Sequence, residues 1–326
     1  MAVTTKTRAP SRPLAIVGAL GIVYVVWGST YLAIGVMTKD MPPLWSAGAR
    51  YLAAGGLMAV LLGCWRGWSH LRVSPAQLAG ASVLGLLLPA AGNGLVTVSE
   101  SRGTPTGIAA LMVASVPLWV VAYRASSGDR PRSSTVLGVL VGFAGLAGLV
   151  LVIGIDGAIP LWPTLLIVFA AMCWSFGSWV QPRLTLPRDP FVTTVYEMLA
   201  GGVVLTAGGI GSGEHLDLAS YSAGEWVAWA YLVVFGSIVA FSAYVWVLSA
   251  APISLVATYA YVNPVVALFL GWIVLGETLS LPIFGATAVI LAGVAIVVGA
   301  ERSRRTSPAT ARTPEPTCAD PPRHGR

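Results

Sequence analysis

Charged residues are few in this chain. Asp, Glu, Lys and Arg make up 10% of the 326 residues, whereas apolar residues make up 56%. An average soluble domain has about 25% charged residues, so a soluble domain of this length is excluded. The composition instead indicates a chain that crosses a membrane repeatedly and leaves no separate soluble catalytic domain.

Cysteine and histidine are also scarce, with three residues of each type. The cysteines are too few and too widely spaced for a disulfide framework or a cysteine metal site. The histidines fall outside the apolar runs, which excludes a histidine-based metal or acid–base centre inside the membrane. A phosphate-binding loop pattern is absent too, which argues against an ATP-driven motor. We therefore predict that the chain is not an enzyme and that it uses neither a metal nor a cofactor.

Long apolar runs dominate the sequence. There are about ten of them, each of roughly 18 to 24 residues, which is the length of a membrane-spanning helix. The first run reaches Met37 without a signal-peptide cleavage site, so we predict that it is a retained span. The predicted fold class is an all-α polytopic membrane protein with about ten transmembrane helices. The predicted spans start near Leu14, Pro43, Leu78, Thr106, Val136, Leu161, Phe191, Trp226, Ser254 and Leu281.

Basic residues fall on one side of the predicted membrane. When the connections are numbered alternately from a cytoplasmic N-terminus, that side receives nearly every Lys and Arg outside the spans. The opposite side receives only Lys39 and Arg102, together with several acidic residues. This positive-inside pattern predicts that both termini are cytoplasmic. The net charge of +6 therefore reflects topology, and we predict no nucleic-acid partner.

An internal repeat relates the two halves of the chain. Adding 147 to the number of a first-half residue often gives the same residue type in the second half. The offset predicts two five-helix units, residues 13–153 and 160–300, between a disordered head (1–12) and a disordered basic tail (301–326). Because five is odd, the second unit enters the membrane from the opposite side, which makes an inverted repeat suited to alternating access. The matching pairs are Trp27 and Trp174, Pro13 and Pro160, Pro43 and Pro190, Pro105 and Pro252, Pro117 and Pro264, Gly55 and Gly202, and Gly138 and Gly285.

The run that starts at Ser254 carries polar residues and a proline in its first half. Pro264 leaves the carbonyl group of Ala260 without its helical donor, and the repeat pairs Pro264 with Pro117 in the fourth predicted span. Paired helix breaks in two repeats indicate a binding site. The alternative is an ordinary proline kink in a packed bundle.

Polar and aromatic residues around this proline are candidates for lining a substrate cavity. Tyr259 and Asn263 share one helix face, and Thr258 and Tyr261 share the next. An amide can both donate and accept hydrogen bonds, and tyrosine rings can cover apolar solutes. In the alternative, Asn263 only satisfies the broken backbone and the tyrosines pack between helices. Other spans add the cavity candidates Trp27, Asn93, Trp174 and Tyr244, with helix packing as the alternative.

Three charged residues lie inside or at the end of predicted spans. Arg50 and Glu197 are 147 residues apart, so they occupy equivalent positions in the two repeats but different depths in the membrane. Glu100, at the outer end of the third span, is therefore the expected neighbour of Arg50. Ionisable residues at such positions usually have a partner or face a pathway. Structural pairing and proton coupling through Glu197 or Glu100 both fit this placement.

Five stretches of the sequence are distinctive. They are WGSTYLAIG from Trp27, GNGLVTVSE from Gly92, TPTGIAALMVASVP from Thr104, FGSIVAFSAYVWVL from Phe235 and ATYAYVNPVVALFLGWIVLGE from Ala257. Together they resemble the EamA-like ten-helix carriers of the drug/metabolite transporter superfamily, over Leu14 to Ala300. The resemblance implies two inverted five-helix halves, cytoplasmic termini and a central cavity through which small metabolites or amino acids are exported. One departure is Glu197, at a position where the family pattern often has Gln.

The predicted function is that of a secondary transporter in the plasma membrane, with a bacterial inner membrane as the expected location. The expected action is export of small amphipathic metabolites or amino acids by alternating access. A cavity with many aromatic and amide groups but few charges suits neutral or zwitterionic solutes. The predicted partners are a small-molecule substrate, the lipid bilayer and, if transport is coupled, protons. The alternatives are an uncoupled facilitator and, from another class, a membrane-embedded sensor or enzyme.

Overall fold

The computed structural model describes residues 13–104, 109, 112–129, 131–153, 161–275 and 281–306. Within these residues the regular secondary structure is helical. The predicted head (1–12), the predicted start of the fourth span near Thr106 and the tail beyond residue 306 lie outside them.

Ten main helices run through the described residues, five in each half of the chain. Those of the first half are α1 (Pro13–Met37), α2 (Pro43–Arg66), α3 (Pro75–Ser101), α4 (Val116–Ser126) and α5 (Ser133–Ile153). Those of the second half are α6 (Leu161–Val180), α7 (Pro190–Gly211), α8 (Ala223–Ala250), α9 (Tyr259–Leu275) and α10 (Leu281–Thr306). Short helical turns follow α2 and α6 and precede α9, at Trp68–Leu71, Gln181–Arg183 and Ile253–Val256.

Six helical segments of the described part are long and apolar enough to cross a membrane. They are α1, α2, α3, α7, α8 and Leu165–Arg183, which contains most of α6. Helices α5, α9 and α10 contain shorter apolar stretches. The all-α membrane fold is thus confirmed. The basic tail was expected to be disordered from residue 301, whereas α10 continues to Thr306.

Several helices begin where the sequence supplies N-terminal signals. Pro43, Pro75 and Pro190 stand in the first turns of α2, α3 and α7, where a missing N–H group has no intrahelical acceptor. Ser74 caps α3 through a capping box with Gln77, so the first orphan backbone donors are satisfied.

Equivalent helices of the two halves pack directly against each other. A Cβ atom at Gly48 on α2 would lie 2.6 Å from the backbone nitrogen of Thr206 on α7, and one at Gly55 would lie 3.1 Å from Leu199. Residue numbers rise along α2 while they fall along α7, so the two helices run antiparallel. Helices α5 and α10 are antiparallel as well, with Gly138 against Val297 and Gly145 against Ile290. An inverted repeat requires this relation between equivalent helices.

The contacts between the halves are reciprocal. Helix α1 packs against α8 and α9 of the other half, and its equivalent α6 packs against α3 and α4. Helix α2 also contacts α8, as α7 contacts α3. Exchanging the two halves therefore leaves these contacts unchanged. The centre of the protein lies between the halves, with α1 and α6 on either side of it.

Two π-helical segments interrupt α3 and α8 at equivalent positions. They cover Leu86–Gly94 and Leu232–Phe241, which the offset of 147 residues brings into register within one residue. Single π turns often occur at functional sites, and here each segment contributes to the centre of the protein. The sequence analysis did not predict these segments.

The two prolines predicted as helix breaks occupy different places. Pro264 lies inside the continuous helix α9, and the interruption comes earlier, at Ala257 and Thr258. Pro117 lies in the first turn of α4, where its missing N–H group removes no helical hydrogen bond. The prediction that Pro264 itself breaks its helix was therefore wrong, whereas the helical backbone is interrupted just before Pro117. Two turn residues precede each helix that contains one of these prolines, at residues 114–115 and 257–258, and Pro264 shows that one lost hydrogen bond does not end a packed helix.

Candidate functional site

A cavity opens between the two halves of the protein. Its cavity volume is about 60 Å³, and the wider hollow, which includes open solvent at its mouth, measures about 670 Å³. Its lining comes from the second half of α1, the first half of α2 and the second half of α3, so it lies toward the membrane face that carries the α1–α2 connection. The lining residues are Trp27, Thr30, Tyr31, Ile34, Arg50, Tyr51, Gly92, Asn93, Val96, Val113, Val116, Ala170, Ala171, Trp174, Gly236, Phe241, Tyr259 and Asn263.

Aromatic rings form one wall of this cavity. The ring of Trp27 lies 5.4 Å from that of Trp174, in an edge-to-face arrangement, and 5.1 Å from that of Tyr259. The indole nitrogen of Trp27 donates to the carbonyl oxygen of Gly236 (3.1 Å), which belongs to the π segment of α8. Edge-to-face pairs and a bonded indole N–H hold the rings in defined positions. The wall is therefore rigid, apolar and suited to the body of an amphipathic solute.

Five of the predicted cavity residues line this cavity. Trp27, Asn93, Trp174, Tyr259 and Asn263 all contribute to its surface. The amide nitrogen of Asn263, oriented as its neighbours require, donates to the carbonyl oxygens of Tyr259 (3.0 Å) and Tyr24 (3.2 Å). Asn263 thus lines the cavity and also connects α9 to α1, through carbonyl groups other than that of Ala260, which Pro264 leaves without a donor.

The other three predicted cavity residues lie outside the lining. Tyr244 packs behind Trp174, and its hydroxyl accepts a hydrogen bond from that indole (2.9 Å). Thr258 bonds to the hydroxyl group of Tyr24 (2.5 Å). Tyr261 points toward α5, where its hydroxyl donates to the carbonyl oxygen of Val139 (3.0 Å). Because each of these side chains finds a partner within the protein, it supports the bundle instead of facing a solute.

Arg50 is the charged residue of the cavity lining. It is 3% exposed, and its guanidinium carbon lies 4.4 Å from the ring centre of Tyr51. One terminal nitrogen, Nη2, donates to the hydroxyl of Tyr51 (2.5 Å) and to Oδ1 of Asn93 (2.9 Å). The other two nitrogens, Nε and Nη1, are buried and have no hydrogen-bond partner in the described part of the chain.

The two carboxyl groups predicted to pair or to couple are also unpartnered. Within the described residues, both oxygens of Glu100 and both oxygens of Glu197 are buried and lack hydrogen-bond partners. No ion pair joins either carboxylate to Arg50 among those residues, so the expected Arg50–Glu100 pair is not formed. Among the described residues, neither glutamate therefore has the partner that structural pairing would require.

The cavity breaks the symmetry between the halves. It reaches Arg50 and Tyr51, but their equivalents Glu197 and Met198 are both 0% exposed and sit in packed protein. A separate hollow on the opposite face is lined in part by Gln181 and Thr193 and does not reach Glu197. The first hollow therefore reaches Arg50, whereas the second, with a volume of about 320 Å³, does not reach its equivalent Glu197.

Sequence reasoning missed most of the lining. Thr30, Tyr31 and Ile34 lie three, four and seven residues after Trp27, which is the spacing of a single helix face. That spacing was available in the sequence once Trp27 had been chosen. The small residues Gly92, Ala170, Ala171 and Gly236 carried no such signal, because they line the cavity by leaving space.

Comparisons with known proteins agree with this architecture. The profile of the EamA-like transporter family matches residues 14–151 and again residues 161–299. The "Uncharacterized inner membrane transporter YedA" of Escherichia coli is 40% identical over 284 residues, 87% of this chain and 90% of that protein. The "Uncharacterized transporter YoaV" of Bacillus subtilis is 23% identical over 288 residues, 84% and 94% of the two chains. One crystal structure, 23% identical, covers 91% of this chain and 100% of its own with a TM-score of 0.71, and so shares the fold.

Proposed function

The chain belongs to the EamA-like transporter family, and we propose that it is a secondary carrier that exports small amphipathic solutes, amino acids among them, by alternating access. The cavity between the halves carries this proposal. It combines a rigid aromatic wall with a few polar groups, which is the usual composition of a small-molecule site. We further propose that both termini are cytoplasmic and that the cavity faces the outside in this state.

The asymmetry between the halves supports alternating access. Because the two halves are equivalent, each half can adopt the conformation that the other half has now. Here the cavity extends to Arg50 in the first half, whereas Glu197 is enclosed in the second. Exchange of the two conformations would close the first site and open the second toward the opposite face. The π segments of α3 and α8 are natural places for this bending, because they are equivalent and already depart from regular helix.

Glu197 and Glu100 are the groups that we propose for proton coupling. An isolated buried carboxylate costs several kcal/mol, so each acid without a partner is a place where a proton can bind and be released as access changes. The competing proposal is an uncoupled facilitator, in which these carboxyl groups stay neutral throughout the cycle. The Glu197→Gln variant separates the two, because Gln keeps the size of Glu and cannot be ionised.

Flux across proteoliposomes tests these proposals directly. Purified protein is reconstituted with a mixed pool of amino acids and small metabolites, with and without a pH gradient. Selective flux that follows the gradient, and loses this dependence in Glu197→Gln or Glu100→Gln, supports a proton-coupled carrier. Selective flux that ignores the gradient supports the facilitator. No flux of any solute in the pool contradicts the carrier proposal and favours a sensor.

A further inference from the structure

We propose that Arg50 forms an anion subsite in the central cavity, which binds the carboxylate of a monocarboxylate solute whose apolar body rests on the aromatic wall. This inference rests on the proposed function, since it names the class of solute that the carrier takes. A monocarboxylate differs from the neutral or zwitterionic solutes that the composition of the cavity alone favours.

The donors of Arg50 are only partly used by the protein. A guanidinium group has five N–H donors and no acceptor. The two donors on Nη2 bond to the hydroxyl of Tyr51 and to Oδ1 of Asn93. The single donor on Nε and the two on Nη1 have no hydrogen-bond partner in the described part of the chain, although both atoms are buried. Buried polar atoms are nearly always bonded, so three unused donors on a residue that lines the cavity indicate a place for an acceptor from outside the protein.

In the part of the chain that the structure describes, the positive charge of Arg50 also lacks a counterion. Breaking or omitting one partner of a buried ion pair is strongly unfavourable, so a buried charge is normally compensated. The ion pairs found among the described residues involve Asp189 and Asp129, which pair with Arg66, His70 and Arg124 elsewhere in the fold. The oxygens of Glu100 and Glu197 contact no donor. An anionic solute group would supply the missing charge.

The position of Arg50 within the cavity specifies the rest of the solute. Two neutral contacts and the ring of Tyr51 hold the guanidinium in place, so it is positioned before a solute arrives. Among the described lining residues no other is charged, which favours a single negative charge. Trp27, Trp174 and Tyr259 supply the apolar surface. A charged oxygen group attached to an aromatic or aliphatic body matches both features.

Paired probes that differ only in charge test the subsite. We would measure binding of 3-phenylpropionate and of its neutral amide, 3-phenylpropionamide, to the full-length protein in lipid nanodiscs by calorimetry. The expected result is at least a tenfold preference for the acid in the unmodified protein. The preference should disappear in Arg50→Gln, return in part in Arg50→Lys, and persist in Arg72→Gln. Arg72 is the matched control, because it is exposed and its loss removes the same charge from the surface.

A second variant covers the case in which Arg50→Gln does not fold. Asn93→Asp places a carboxylate where Oδ1 already accepts from Arg50, so the charge is paired inside the protein and the fold should be retained. This variant should bind the amide as before and lose its preference for the acid.

Three results would overturn the subsite. Equal binding of acid and amide by the unmodified protein would remove it and leave the carrier proposal intact, because the cavity would still bind the solute body. An unchanged preference in both Arg50→Gln and Asn93→Asp would place the anion site elsewhere. Binding of neither probe would reject the proposed solute class. Only a simultaneous absence of flux from the mixed pool would reject the carrier as well.

Discussion

Replacing Gly48 by Ala tests the packing of the two equivalent helices α2 and α7. The new Cβ atom would lie 2.6 Å from the backbone nitrogen of Thr206 and 3.0 Å from the carbonyl oxygen of Gly202. Both are backbone atoms, so α2 and α7 must move apart to admit the methyl group. Overpacking of this kind costs about 1 to 3 kcal/mol. It exceeds the roughly 1 kcal/mol by which Ala is favoured over Gly inside a helix.

Gly56 provides the matched control on the same helix. A Cβ atom at Gly56 would meet nothing within 4 Å, so Gly56→Ala gains helix propensity without a clash. Both variants gain the same helix propensity, so they should differ in stability by the overpacking cost of about 1 to 3 kcal/mol, with Gly48→Ala the less stable. Unfolding of purified protein in mixed micelles, followed by circular dichroism during titration with a denaturing detergent, measures the difference. Equal stability of the two variants would refute the close α2–α7 contact and the inverted arrangement that it supports.

Three further predictions concern the cavity and the loop beside it. Asn263→Ala should reduce or alter solute flux while the protein still reaches the membrane, and unchanged flux and selectivity would remove Asn263 from the site. Because two hydrogen bonds to backbone carbonyls are lost, the variant should also lower the free energy of unfolding by about 1 to 3 kcal/mol. Gly92→Ala should impair flux, since its Cβ atom would lie 2.5 Å from the ring of Trp174 and push that ring toward the solute; Gly35→Ala on α1, where the space is open, should transport normally. In the α1–α2 connection, a hydrogen bond to Glu225 and then the negative charge of Glu225 raise the pKa of Asp40. The stabilisation from protonated Asp40 is therefore complete below the unfolded pKa of about 3.9, and it is lost as the pH rises through the folded pKa. Asp40→Asn should remove this contribution to the pH dependence of the melting temperature, and an identical pH dependence in both proteins would contradict the interaction.

Much of the fold could be predicted because its signals are long and repetitive. Apolar runs of membrane-spanning length locate the helices, and Pro43 and Pro190 are the first residues of α2 and α7. A repeat offset shared by many residue pairs predicts two equivalent halves. The π segments left no such signal, because their backbone shift depends on tertiary packing. Pro264 was misjudged for the same reason, since the helix around it is held by its neighbours.

The site was harder to predict than the fold. In a bundle that is apolar throughout, polar side chains at helical spacing can face either a cavity or a neighbouring helix. Tyr259 and Tyr261 illustrate the difficulty, because they are two residues apart and only Tyr259 lines the cavity. The rarity of charge pointed to Arg50, Glu100 and Glu197, but the absence of partners for them emerges only from the three-dimensional arrangement.

Reciprocal accessibility of the two halves tests alternating access most directly. Single cysteines are introduced into a chain whose three native cysteines are replaced by Ala. One replaces Val96, which lines the cavity. The other replaces Met198, which is 0% exposed and is equivalent to the lining residue Tyr51. Each variant is labelled with a membrane-impermeant thiol reagent from either side, with and without a solute identified by the flux assay. Alternating access predicts that the solute changes the two labelling rates in opposite directions and from opposite faces of the membrane. Rates that stay constant, or that rise and fall together, would contradict it.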